Sequence, residues 1–458
     1  MSCRRYFFLI AIILCSMTEQ VPGKVPVTYT PEANEVDLFV DHLFSATDVM
    51  VTDVATPPGA ARFYAYILLG AYTVQAELSP SEIDGSLIQR FNEPFQNIPF
   101  PDGIEGLNRE FCTIYSMLEV GKAIMPSGKR LADSQQLLVT QFTKSRKIKK
   151  RDLARNIAYA AFKADQVIGY AQNDGYRKLS ALRRYSPSPQ KGRWYPTPPS
   201  YMAAIDPEWR TLRTFFLGDL NPYDPTPPVP FSEDRESPFF QLVKEVYDVT
   251  GKLTEEQELI ANFWDCNPFF VAYSGHMAIG IKKISPGGHW IGITGIASQK
   301  AGLSLAQTVQ IHTLLALSLH DAFVSCWSEK YRSDRIRPIT AINKYVDESW
   351  QPMLQTPPFP EYTSGHSVIS RVSARVLTAY FGDNFDFIDT SEVYFGLPER
   401  AFTSFLQAAD EAAISRLYGG IHFRDAIEEG VKQGDKIADH ILKINNSELF
   451  SADSGISE

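Results

Sequence analysis

Apolar residues recur at three- and four-residue intervals over most of this 458-residue chain, the spacing that lines up one face of an α-helix. From Val36 to about Leu182 the pattern runs through positions such as Ala61, Tyr64, Ile67, Leu68 and Tyr72. It returns at Thr254 to Trp264 and again at Leu303 to Lys330, where Leu305, Val309, His312, Ala316, Leu319 and Phe323 keep the rhythm. Two further helices are expected after Ser364 and His422. Alternation of period two is scarce, so the spacing predicts a mainly α fold, and 44% hydrophobic residues over this length suffice for a large core. From Ser186 to Pro238 closely spaced prolines, among them Pro187, Pro189, Pro198, Pro199, Pro227 and Pro228, exclude a helix. Trp194, Tyr195, Phe215 and Phe216 interrupt this connector, which is therefore expected to pack over helices and to shape the entrance to a site.

The N-terminus reads as an export signal: Arg4 and Arg5 precede the apolar stretch Phe7 to Leu14, which is too short to span a bilayer. A secreted or cell-envelope protein follows. Cys15 after that stretch admits a lipid-anchored N-terminus, although Leu14 is larger than such processing prefers. The expected organisation is a targeting segment, 1–23, and a single all-helical domain, 24–458. Within that domain 24–240 hold an N-terminal half with the Pro-rich connector, and 241–445 hold the site. A formal charge of −9 argues against broad nucleic-acid binding, and the basic run Lys144 to Arg151 reads as a solvated helix face. Outside the targeting segment, Cys112, Cys266 and Cys326 are far apart and read as buried thiols.

Three local elements carry chemistry. Lys330 and Arg337, two helical turns apart, would project from one face of a continuous helix that Pro338 bends or ends. Ser364-Gly365-His366 precedes an amphipathic run, so the serine reads as an N-cap. The helix start then offers free amide N–H groups to an anion beside an imidazole. In Arg416-Leu417-Tyr418-Gly419-Gly420-Ile421-His422 the glycines permit a bend before a helix beginning near His422. On that helix Asp425 would reach the imidazole and fix its tautomer. Each element alone is weak: Ser274-Gly275-His276 repeats the tripeptide without the flanking cations and reads as structural. Together, in order, they supply three cations, helix-end donors and two histidines, an inventory suited to a tetrahedral oxyanion.

The order Lys-x6-Arg-Pro, Ser-Gly-His, Ser-Arg-x5-His resembles the signature shared by type 2 phosphatidic-acid-phosphatase-like enzymes and vanadium-dependent haloperoxidases. The match spans Lys330 to Asp425, and the segments Trp194–Pro199, Phe263–Pro268, Gly287–Trp290 and Asp321–Ile342 also resemble the larger haloperoxidase branch. Chain length, Trp327-x2-Lys330 and Pro357-Pro358-Phe359-Pro360 favour that branch, although Thr363 stands where proline is common and Ser328 where an acid is common. The resemblance implies an almost all-helical fold with two helical bundles. It also implies vanadate, vanadium(V), bound through a ring nitrogen of His422, with Lys330, Arg337, Ser364, Gly365 and Arg416 around its oxygens.

On the same resemblance His366 would be the acid–base residue, Trp327 and Phe359 would line the halide approach, and Asp265 would orient Lys330 or an arginine. Hydrogen peroxide would oxidise a halide, iodide or bromide ahead of chloride, to a hypohalous-acid-like product that reacts with small organic acceptors. Phosphate would compete for the cage. Two other functions stay open at this point: a phosphomonoesterase with His422 as nucleophile, and an exported binding or scaffold protein with a vestigial pocket. Oligomeric state is not legible in the sequence. Of the remaining histidines, His42, His276, His312, His320 and His440 lack partners in sequence, while His289, beside Trp290 in a Gly-rich stretch, is expected to line the pocket.

Overall fold

The computed structural model describes residues 34–83, 85–274, 277–280 and 282–445. The targeting segment with Cys15 lies outside the described residues, as do Gly275 and His276 of the second Ser-Gly-His. Among the described residues no helix is long and apolar enough to cross a membrane.

The N-terminal periodic stretch forms α1 (Glu35–Thr52), α2 (Pro57–Leu78), α3 (Arg109–Ile124), α4 (Leu131–Lys144) and α5 (Lys150–Ala171). Local chemistry sets the starts: Asn34 accepts from the amides of Val36 and Asp37, and Thr56 caps α2 ahead of two prolines at positions that need no donor. After the connector come α6 (Pro238–Thr250) and α7 (Glu255–Phe263), the latter opened by a reciprocal Thr254/Gln257 capping box. A short hairpin, β1 (Val271–Ser274) and β2 (Met277–Gly280), leads to α8 (Pro286–Lys300), α9 (Leu305–Ser333) and α10 (Pro338–Tyr345). Then follow α11 (Gly365–Phe381), a second antiparallel pair made of β3 (Phe387–Asp389) and β4 (Arg400–Phe402), α12 (Phe405–Tyr418) and α13 (Arg424–Asn445). The mainly α expectation holds.

Two bundles share one helix. In the first, α2 packs against α3 and α9, and α3 against α4 and α5; in the second, α11 packs against α12, α13 and the same α9. Helix α9 is therefore buried along almost its whole length, from Leu305 to Lys330. A helix apolar all round is the sequence signature of such a position. One hydrophobic cluster runs through both bundles, from Phe39 and Tyr66 through Leu315 and Phe323 to Val372 and Ile441.

The connector is largely irregular and does pack over helices, with Trp194, Phe215 and Phe216 buried. Asp321 on α9 anchors it by accepting from the amides of Phe215 (2.8 Å), Phe216 (2.7 Å) and Leu217 (3.2 Å). Further along α9, the Ile205 carbonyl accepts from Trp327 Nε1 and Tyr331 Oη, which lays the connector over the end of the helix that bears Lys330.

Candidate active site

Lys330 and Arg337 do not ride one helix. Helix α9 ends at Ser333, Asp334 turns the chain in the left-handed region (φ 50°), and Arg337 is the N-cap residue of α10. Pro338 opens that helix, taking the first position, where a missing N–H costs nothing. The cations converge through this turn, because three carbonyls of the Pro-rich run before Ser364 claim Lys330: those of Pro360 (3.3 Å), Glu361 (3.2 Å) and Thr363. Arg337 donates to the carbonyls of Phe359 and Ile421, both at 2.9 Å, and its Nη1 lies 3.1 Å from His422 Nε2.

Ser364 is the N-cap of α11, accepting from the Ser367 amide at 3.3 Å, and Gly365 and His366 begin the helix, so the expected capped helix start is present. A β-carbon at Gly365 would meet Trp327 and Lys330 only at 3.8 and 3.9 Å, so the glycine leaves open space rather than avoiding a clash. Arg416 sits in the last turn of α12 and donates to the Trp264 carbonyl at 2.7 Å. Gly365, His366, Arg416 and His422 line one cavity with Trp327 and Phe359, whose rings lie 5.0 Å apart.

The partner expected for His422 is a different residue. His422 precedes α13, which starts at Arg424, so the helical offset that would bring Asp425 onto its ring does not exist. Asp425 instead accepts from Arg335 at 2.8 Å. Glu361 takes the place assigned to Asp425: its Oε1 accepts from His422 Nδ1 and from the Phe423 amide, each at 2.9 Å, and its Oε2 lies 3.4 Å from Arg335. Asp265 lines the cavity, and its charge opposes the burial that lowers Arg416 below the usual guanidinium range, but its ion pair is with Lys283, not Lys330. His289 does not line the cavity; it lies in α8 behind the wall, stacked on Trp264 at 4.5 Å between Asp389 and Glu392.

The electrostatics follow from packing cations together away from water. Burial, reinforced by Arg337, brings the Lys330 ammonium down to about 8, and burial brings Arg337 down to about 10. Burial, then the neighbouring cations, hold His366 and His422 well below the usual imidazole range, so both are neutral. Burial raises Glu361, opposed by Arg335 and Arg337. With Nδ1–H of His422 committed to Glu361, its Nε2 carries the lone pair and points among the cations. Four buried polar atoms at the site have no hydrogen-bond partner among the described residues: Arg337 Nη2, His366 Nε2, Glu361 Oε2 and Asp265 Oδ1. A neutral ring nitrogen, clustered cations and unpartnered polar atoms form a receptor for an anion that also accepts a nitrogen ligand.

Comparison with known proteins bears on which anion. The family model of the VCPO second helical-bundle domain matches residues 343–449. The structure of a bacterial vanadium-dependent iodoperoxidase is similar at 41% sequence identity and a TM-score of 0.82, covering 92% of this chain and 98% of that one. A bacterial vanadium-dependent chloroperoxidase in its holo form is similar at 15% identity and a TM-score of 0.62, covering 90% of this chain and 93% of its own. The apo form of such a chloroperoxidase also matches, at 15% identity and a TM-score of 0.62, over 86% of this chain and 95% of that one. No curated protein matches.

Proposed function

The chain belongs to the vanadium-dependent haloperoxidases, and from that premise we propose that it holds vanadate in this cage and oxidises iodide or bromide ahead of chloride with hydrogen peroxide. The halide order is supported by the 41% identity to an iodoperoxidase against 15% to the chloroperoxidases. The product would be a hypohalous-acid-like oxidant that passes to small organic acceptors.

The residues present fit vanadate. The observation that carries the reading is His422, its Nδ1–H held by Glu361 at 2.9 Å and its unprotonated Nε2 3.1 Å from Arg337 Nη1, in the field of Lys330 and Arg416. That nitrogen would ligate vanadium. Lys330, Arg337 and Arg416 would neutralise the oxygens, and Ser364 and Gly365 would donate to them from the start of α11. Bound vanadate supplies a Lewis-acidic metal centre that activates peroxide without changing its own oxidation state. His366, neutral and with Nε2 open, would take up and return a proton at that atom. Trp327 and Phe359 would keep the halide side apolar and limit water. Phosphate, of the same shape and charge type, would compete.

The test is to load metal-free protein with orthovanadate and follow peroxide-dependent oxidation of iodide, bromide and chloride, with and without phosphate. Vanadate-stimulated oxidation, strongest with iodide, is expected and should be inhibited by phosphate. No vanadate-stimulated oxidation of any halide would overturn the proposal, and aryl-phosphate turnover lost in His422→Ala would move the site to phosphomonoester hydrolysis. Export after loss of residues 1–23 belongs to the same proposal and rests on Arg4, Arg5 and the apolar stretch after them.

A further inference from the structure

At the cavity wall, to which Cys266 belongs while His289 and Glu392 lie behind it, three donor atoms of different chemistry converge. Cys266, in the turn after α7, places Sγ 3.4 Å from Nδ1 of His289 in α8. Glu392, in the loop after β3, places Oε1 3.2 Å from the same nitrogen. All three donor atoms lie within 4.8 Å of one another, and the three residues are buried. Glu392 Oε1 has no hydrogen-bond partner despite that burial, so the His289 contact does not satisfy it. The far nitrogen, His289 Nε2, is held by Asp389 Oδ2 at 2.7 Å, which leaves Nδ1 to face Cys266 and Glu392.

We propose that Cys266, His289 and Glu392 form a second metal site, distinct from the oxyanion cage and suited to Zn²⁺. The spacing carries the argument. Tetrahedral zinc with Zn–N and Zn–O of about 2.0 Å and Zn–S of about 2.3 Å sets nitrogen–oxygen edges at about 3.3 Å and nitrogen–sulfur edges at about 3.5 Å. The two edges that meet at His289 Nδ1 are 3.2 and 3.4 Å, matching these values, and the sulfur–oxygen edge lies within 4.8 Å. A thiolate, an imidazole and a carboxylate are the mixed donor set that zinc takes, whereas magnesium and calcium want oxygen alone. Asp389 completes a carboxylate–histidine–metal arrangement, the outer contact that fixes the ring and makes it a better ligand.

The ion would tie together the turn after α7, the first turn of α8 and the loop after β3. That turn also contains Trp264, whose carbonyl receives Arg416 at 2.7 Å and whose ring stacks on His289 at 4.5 Å. Zinc here would act as a strut that sets the position of Arg416 and would take no part in the oxidation.

The experiment uses the full chain, free of vanadate and exposed to zinc, with metal content measured by mass spectrometry and cobalt(II) substituted as a spectroscopic probe. One equivalent of zinc and a near-ultraviolet thiolate-to-cobalt charge-transfer band are expected. Cys266→Ser should abolish the band. Glu392→Gln, close in shape, should cost at least as much affinity as Asp389→Asn, for which roughly 10–100-fold is expected. Circular dichroism of each variant separates lost ligation from lost fold. Substoichiometric metal with no charge-transfer band in the folded wild type would sink the proposal. So would stoichiometric metal that survives both Cys266→Ser and Glu392→Gln, and either result would leave the cluster a buried ion pair.

Discussion

Glu361 ties His422 to Arg335 with one carboxylate, and no spacing rule marks it, since 61 residues separate it from the imidazole it orients. Replacing it with glutamine removes the charge that keeps Nδ1 protonated. Glu361→Gln should therefore weaken vanadate binding by roughly 10–100-fold, while Asp425→Asn, which acts only through Arg335, should do less. Titrating vanadate into metal-free protein checks both. Gly365→Ala separates space from stability in the opposite way. Its β-carbon meets protein only at van der Waals distance and alanine favours a helix, so the melting temperature should hold or rise while vanadate affinity falls about tenfold or more. Lys330 sets a pH limit. Its ammonium is charged below about 8 and neutral above, so affinity for a non-titrating tetrahedral anion such as sulfate should fall as pH rises through that value. A bound anion moves the midpoint upward, and sulfate-dependent thermal shifts between pH 6 and 10, with Lys330→Met as the flat control, should show it. The cage residues were legible because each element pairs a rare combination of charge, glycine and histidine in fixed order. Glu361 was not, because its relation to His422 exists only after the Pro-rich run folds back along α9.

Element boundaries decided where the sequence misleads. A spacing of seven between Lys330 and Arg337 suits one helix face, yet Asp334 adopts φ 50° and ends α9 before Arg337 is reached. The two cations still meet, because the lysine is held by carbonyls of the 360–363 segment rather than by its position on the helix. Asp425 fails for a related reason: the three-residue offset needs a helix that includes His422, and α13 begins two residues later. The helices themselves were legible, since caps such as Ser364 and Thr254 stand where the apolar rhythm starts. One side chain holds the 215–217 stretch of the connector. Asp321→Ala would strand the amides of Phe215, Phe216 and Leu217, at about 1–3 kcal/mol for each left unpaired. Urea unfolding should register the loss, Asp321→Asn should lose less, and limited proteolysis of Asp321→Ala should cut first within 183–237.

At the scale of the whole molecule, α9 serves both bundles, packing against α2 on one side and α11 on the other. Residues Ala60 to Val74 of α2 are almost wholly buried, and without α9 they would open an apolar patch of the kind soluble monomers rarely expose. A fragment of residues 34–237 should therefore aggregate when expressed alone, while the chain from 34 to 445 should melt in one transition by near- and far-ultraviolet circular dichroism. Two separate melting steps would show that the bundles do not share a core. The shared helix also bears on ancestry. A half that cannot stand without a helix encoded downstream of it is not a module that a lineage could add or discard in one recombination event. Helices α1 to α5, which carry no residue of the cage, are then expected to diverge together with α9 and the helices that do.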